Sequence, residues 1–356
     1  MKNIIVIVPS LSPTGPIKGA IGLVNGLDEL GVSVTLISLK KGPGSNCKIS
    51  KNVNIFELGC NSNLSILYML YKIKKIVNKY EDSKNIAIIS QGFSADLVNL
   101  LLGVSCKKIA SVRGDLKINY SLTYGYLGEI LANLHYFILK HFDANFALNE
   151  EMKMKLIKNK YDKVEIIPNF LNEIDYENIS KSTNLSPKKN IIFVGSICER
   201  KQPFLLLKTV KKLLKKGLNI NLIFIGDGPL KDNLISEVKE TDNENIKILG
   251  FKKSPINYVA KSDILVLPSL SEGTPRAVME ALYIGVPCVM RNLSTNDALV
   301  VNGINGCLFN HDSELEDAII KCLKISDDLR KENNLLSKQF SQEYCCNETL
   351  RYLRNL

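Results

Sequence analysis

The sequence predicts an α/β protein of two Rossmann-like, doubly wound parallel-sheet domains facing each other across a cleft. Three observations carry that expectation. Short apolar, β-branched runs alternate with longer amphipathic stretches along the chain, the pattern of buried parallel strands joined by crossover helices. Twelve such runs occur, more than one sheet of ordinary size holds. The chain of 356 residues, 45% hydrophobic and 23% charged, is long enough for two cores and ordinary in composition.

In order, the first six strands are expected at Ile4–Val8, Ser33–Ile37, Ile86–Ser90, Lys108–Val112, Ala144–Leu148 and Val164–Ile167. The second six fall at Ile191–Val194, Leu222–Ile225, Ile246–Leu249, Ile264–Leu267, Pro287–Met290 and Cys307–Phe309. Between the two sets the chain turns polar and rich in Asn, Ser and Pro, the composition of a linker. The expected organisation is therefore a domain over 1–168, a linker over 169–187, and a second domain over 188–325. The loops that matter are those after each strand, because doubly wound sheets bind ligands beyond their carboxyl ends.

Composition excludes several classes. No run approaches the ~18 apolar residues of a membrane span, and the apolar part of the N-terminus is too short for a secretory signal. Nine cysteines lie scattered without a C-x-x-C pair, and there are three histidines, so they read as reduced thiols of a cytosolic protein and no metal site is implied. The net charge of +10 is uneven: residues 1–168 carry 21 Lys/Arg against 13 Asp/Glu, the remainder 25 against 23. That surplus suits a phosphorylated ligand or anionic lipid. Nucleic acid is not expected, since no binding motif accompanies the charge.

The most specific loop is Ser269–Cys288, SLSEGTPRAVMEALYIGVPC. Thr274 suits an N-cap and Pro275 a first helical position, so a helix should start there. Amides at Gly273, Thr274 and Arg276 could then take phosphate or sugar oxygens, while Glu272 and Glu280 accept hydrogen bonds from hydroxyls. Two solvated glutamates near a helix start would look the same. In the loop VGSICERKQP, with Gly195 and Ser196, the cations Arg200 and Lys201 stand ahead of a helix. The helix dipole disfavours cations there unless an anion such as a diphosphate shares the site. Exposed basic side chains are the plainer alternative. The turn FIGDGP with Gly226 lacks the third glycine of a dinucleotide fingerprint, and no P-loop motif occurs.

The stretch SEGTPRAVMEALYIGVPCV resembles the donor-binding signature of retaining glycosyltransferases of family four, the "glycosyl transferases group 1" class. The resemblance implies a GT-B fold, with residues 326–356 as helices crossing back to the first domain. It implies that Glu272 contacts the donor sugar's hydroxyls and Glu280 the nucleotide ribose. Lys201 matches the lysine that neutralises the leaving diphosphate, whereas Ser196 stands where the family has an arginine, a role left to Arg200. Gly250-Phe251 matches the loop facing the base, and Gly15 the phosphate-side loop. Arg113 stands where many relatives have a histidine near the donor sugar, which implies an altered, for instance acidic, sugar.

The implied function is metal-independent, retaining transfer of a sugar from a nucleoside-diphosphate donor to a glycan or lipid-linked acceptor in surface polysaccharide synthesis, with no cofactor. A nucleotide-sugar epimerase or hydrolase of the same fold and a non-catalytic sugar-nucleotide binder are the alternatives. The expected place is the cytoplasm, at the inner membrane face. There Leu64 to Tyr80, with Ile66, Leu70, Ile73 and Val77 along one helical stripe and lysines on another, could rest on anionic lipid. Such a stripe more often packs inward.

Overall fold

The computed structural model describes residues 3–356 except 13, 43–47, 60–64, 81–84, 173–175, 177–178, 180–187, 240–243, 294–298 and 330–333. The chain forms two compact units, Met1–Asn172 with Lys338–Leu356, and Glu173–Ser337.

The first unit opens β1 (Asn3–Ser10), α1 (Gly15–Glu29), β2 (Ser33–Lys40), β3 (Asn54–Glu57), α2 (Ser65–Val77) and β4 (Ile86–Ser90). It continues α3 (Phe93–Leu101), β5 (Lys107–Ser111), α4 (Leu116–Tyr124), α5 (Tyr126–Leu139), β6 (Ala144–Ala147), α6 (Glu150–Lys158) and β7 (Val164–Ile166). All strands pair in parallel, in the order β3-β2-β1-β4-β5-β6-β7, with Val6 between Leu36 and Ile89. Alternation along β1 makes the sheet doubly wound. Ile4, Val6 and Val8 pack with α1, while Ile5 and Ile7 pack with α2 and α3.

The second unit runs β8 (Lys189–Val194), α7 (Pro203–Lys215), β9 (Ile220–Ile225), α8 (Lys231–Lys239), β10 (Ile246–Ile248), α9 (Ile256–Val259) and β11 (Ile264–Leu267). Then come α10 (Arg276–Tyr283), β12 (Cys288–Arg291), β13 (Gly306–Phe309) and α11 (Leu315–Asp328). Its parallel order is β10-β9-β8-β11-β12-β13. In both sheets the strand order reverses once, between β1 and β4 and between β8 and β11. These are the switch points where such sheets open a crevice for ligands.

Twelve strands stand where the apolar runs place them. The thirteenth, β3, has the sequence NIFE and is mostly exposed at the sheet edge, so it carries no apolar run to announce it. The return to the first unit begins at Lys338, later than residue 326, because α11 buries Leu315, Ile319 and Cys322 within the second unit. A final helix, α12 (Gln342–Asn355), then lies on α1. Gln342 donates to the Gly22 carbonyl at 2.7 Å, and Leu171 bridges to Ser341. The approach is close enough that a Cβ on Gly26 would sit 2.6 Å from the Cys346 Sγ. In an open helix, Gly→Ala stabilises by about 1 kcal/mol. Here the clash decides the sign: Gly26→Ala should lower stability by about 1–3 kcal/mol in a urea titration.

Candidate active site

The turn after β8 is short and tightly set. Residues Glu199–Lys201 form one 3-10 turn, closed by Gln202 in the left-handed conformation (φ 52°) before Pro203 opens α7. This geometry turns Lys201 inward, where it is 9% exposed. The loop is braced from the side by the turn after β9. Ile197 N–H donates to the Asp227 carbonyl at 2.9 Å, and Gly226 N–H to Gly250 at 3.0 Å. A Cβ on Gly226 would lie 1.8 Å from the Gly195 carbonyl oxygen, and one on Gly228 2.4 Å from that of Ile197. The glycines of FIGDGP thus serve backbone packing between neighbouring loops.

From β11 the chain brings Glu272 to the same place. Its carboxylate pairs with the Lys201 ammonium and lies 3.2 Å from the Arg200 guanidinium. Arg200 Nη1 also donates to the Ser271 carbonyl at 2.6 Å, and Leu270 N–H to the Arg200 carbonyl at 2.8 Å. The Glu272 side chain is 8% exposed. Burial pushes its pKa up, but the Lys201 and Arg200 charges outweigh that and hold it below the usual carboxylate range. Two cations against one carboxylate leave a positive excess in a low-dielectric setting, which favours a further anion.

The sequence placed Glu272 on sugar hydroxyls and the two cations on a diphosphate; here the carboxylate and the cations hold each other. The reason is electrostatic: buried charges of opposite sign in adjacent loops pair to offset their desolvation. Ser196 is exposed beside this cluster. The helix start also shifts by one residue: Pro275 is the N-cap of α10, without a side-chain cap, and Thr274 is buried ahead of it beyond Gly273.

Glu280 sits one turn into α10, buried, and belongs to a second cluster. The Tyr176 hydroxyl donates to its Oε1 at 2.8 Å, and Arg276 Nε lies 3.9 Å away. Burial, with the Glu280 carboxylate beside it, pushes the Tyr176 hydroxyl far up. Tyr176 is absent from the sequence-based set because it lies in the polar stretch read as linker; a tyrosine amid Asn, Glu and Ser was the available signal. Phe251, after β10, is exposed.

Gly15 and Arg113 lie in the first unit, at the start of α1 and just after β5. Arg113 donates to Gln91 Oε1 at 3.0 Å and to Asn169 Oδ1 at 2.9 Å. On α2 the stripe Ile73 and Val77, with Ile66 and Leu70 partly buried, packs into the core; Leu64 lies outside the described residues. Among the described residues no cluster of potential metal ligands occurs, seven cysteines are free thiols, and no helix is long and apolar enough to cross a membrane.

Because Glu272 has a depressed pKa in the folded state, its pairing stabilises above the unfolded glutamate range and is lost as pH falls through the folded value. Glu272→Gln should therefore be less stable than the parent at neutral pH and should lose less stability on acidification to pH ~4. Parallel denaturant titrations across pH check this; identical slopes for both proteins would contradict the pairing.

Residues 175–338 match the family described as glycosyl transferases group 1. An uncharacterized glycosyltransferase of Methanocaldococcus jannaschii is 27% identical over 252 residues, 65% of this chain and 60% of that protein. The UDP-Gal:alpha-D-GlcNAc-diphosphoundecaprenol alpha-1,3-galactosyltransferase of Escherichia coli is 30% identical over 210 residues, 54% of this chain and 53% of that protein. The chain thus spans 53–60% of the length of these relatives. Anabaena HepE, solved in complex with UDP-glucose, matches in fold with a TM-score of 0.74 over 99% of this chain and 100% of that one, at 15% identity. The match to the glycosyl transferases group 1 family thus spans the second unit, and the two parallel-sheet units share the GT-B fold of HepE.

Proposed function

We propose that the chain transfers a hexose from a nucleoside-diphosphate sugar, with retention and without a metal, to a lipid-linked glycan of a surface polysaccharide. The observation that carries this reading is the Arg200–Lys201–Glu272 cluster at the switch point between β8 and β11. A departing diphosphate gains negative charge as the sugar bond breaks, and fixed cations in a dry site stabilise that charge more than they stabilise the bound donor. As the diphosphate takes over Lys201 and Arg200, Glu272 becomes able to accept hydrogen bonds from sugar hydroxyls. Glu280, held by Tyr176, suits the ribose hydroxyls, and the turn at Gly250 and Phe251 the base. The activity for which the Escherichia coli relative is named, galactosyl transfer to a diphosphoundecaprenol-linked sugar, supports both donor class and acceptor class.

A membrane-linked acceptor calls for a surface that meets lipid, and the α4–α5 hairpin supports one. Leu127, Ile130, Leu134 and Phe137 recur along one face of α5 and are all exposed, as are Tyr126 and the lysines Lys117 and Lys140. Apolar residues flanked by lysines suit an anionic bilayer. The residues that α2 shows outward, Leu67, Tyr68 and Tyr71, form a smaller group.

Two measurements test these readings. Lys201→Ala, checked for folding, should cut transfer from UDP-glucose or UDP-galactose by about 10²–10³-fold. Unchanged turnover would remove Lys201 from the reaction, and donor breakdown without an acceptor would mark a hydrolase or epimerase. In co-sedimentation, Leu127→Glu/Phe137→Glu should lose binding to phosphatidylglycerol vesicles by at least about tenfold, while Tyr71→Glu should not. Equal binding by all three proteins would exclude the α5 face.

A further inference from the structure

Tyr176 belongs to the second unit but stands outside its sheet, seated on one face of α10. Arg276, Glu280 and Tyr283 lie at i, i+4 and i+7 along that helix and so share the face. The Tyr176 ring meets Tyr283 edge-on, with centroids 6.0 Å apart and planes at 62°. Ile179 N–H donates to the Tyr176 carbonyl at 2.9 Å, which restrains the backbone that carries the ring. Tyr176 and Glu280 are each 7% exposed.

The phenol hydroxyl is bonded on both sides. It donates to Glu280 Oε1 at 2.8 Å and accepts from the Arg276 guanidinium. The direct ion pair stays open. Arg276 Nε is 3.9 Å from Glu280 Oε1, whereas a closed arginine–carboxylate contact lies at about 2.7–2.9 Å. These two side chains, 11% and 9% exposed, are one helical turn apart in a setting where attraction grows as water leaves. Something must therefore hold them apart. Among the described residues none donates to the second carboxylate oxygen, Oε2.

Packing alone does not call for the hydroxyl. A phenylalanine would fill the same space against Tyr283 without a buried polar atom to satisfy. What the oxygen adds is a spacer. It gives the guanidinium an acceptor other than the carboxylate, and it fixes Oε1 while Oε2 is left for a ligand. A carboxylate held this way suits a pair of neighbouring hydroxyls, which a ribose supplies.

We propose that Tyr176 is a positioning residue for the donor nucleotide: its hydroxyl keeps Arg276 from closing on Glu280, and so keeps the Glu280 carboxylate open to the ribose hydroxyls. Ribose as the ligand rests on the transferase reading above; the spacing of the three side chains rests on the geometry alone. In Tyr176→Phe the guanidinium loses its other acceptor, moves onto the carboxylate and takes the place of the ribose.

Calorimetric binding of UDP, GDP and ADP to the full-length protein, each beside its 2′-deoxy form, tests this role. In the parent protein the ribonucleotide that binds most tightly should exceed its deoxy form by about tenfold or more. In Tyr176→Phe that ratio should fall to about threefold or less, through weaker binding of the ribonucleotide alone. Tyr176→Phe/Arg276→Met also removes the guanidinium that would close, and should restore a ratio of about tenfold. A ratio kept in Tyr176→Phe, tighter ribonucleotide binding in that variant, or no recovery in the double variant would each overturn the role of Tyr176. Equal binding of both forms by the parent would overturn ribose recognition by Glu280, and this role with it. Failure of all three ribonucleotides to bind would sink the donor reading as well. Transfer from a UDP-hexose is measured alongside. A ratio that follows Tyr176 without any transfer sinks the transferase reading and leaves the nucleotide site standing, and transfer with an unchanged ratio does the reverse.

Discussion

One carboxylate organises the second unit. Glu272 is nearly buried, and the price of burying it is met by two cations that arrive from a different strand. Breaking such a group by removing one member leaves the others uncompensated, so the loops after β8 and β11 are bound together more firmly than their backbone bonds alone provide. Backbone packing continues the theme on the other side, where Gly226 and Gly228 let the turn after β9 touch the loop after β8. The catalytic reading depends on this rigidity, because charges fixed in advance need no reorganisation as a diphosphate leaves.

The two sheets repeat one plan. Each is fully parallel, each reverses its strand order once, and each gathers polar side chains at that reversal. In the second the gathered groups are Arg200, Lys201 and Glu272; in the first they are Arg113, Tyr120 and His135. The chemistry differs in sign and kind. The second collects an excess of positive charge, whereas the first sets a single guanidinium in one cavity with a tyrosine hydroxyl that is hydrogen-bonded to an imidazole.

The range of each interaction decides how much of this was legible in the sequence. Strands such as Ile4–Val8 are buried on both faces and write themselves as continuous apolar runs, whereas β3 at an exposed edge does not. Lys201 and Glu272 were readable as candidates from their places beside helix starts, but their pairing joins positions 71 residues apart and leaves no local pattern. The same holds for Tyr176 with Glu280, 104 apart, and for His135 with Asp96, 39 apart. A histidine on an amphipathic helix looks like any core residue until the fold supplies its neighbour. The start of α10 was misplaced by one residue because Thr274-Pro275 reads as a cap followed by a first helical position, whereas Thr274 is buried and Pro275 takes the N-cap place without a side-chain cap.

The placement of α12 has a consequence for synthesis. Residues 173–337 are one unbroken stretch, while the first unit is assembled from the segments on either side of it. On a ribosome, the second unit can complete its core while the first still lacks the helix that covers α1, reversing the usual order in which earlier domains finish first. Until Gln342 and Cys346 emerge, the α1 face that they cover stays open to water, and chaperone contact or aggregation at that stage would begin there.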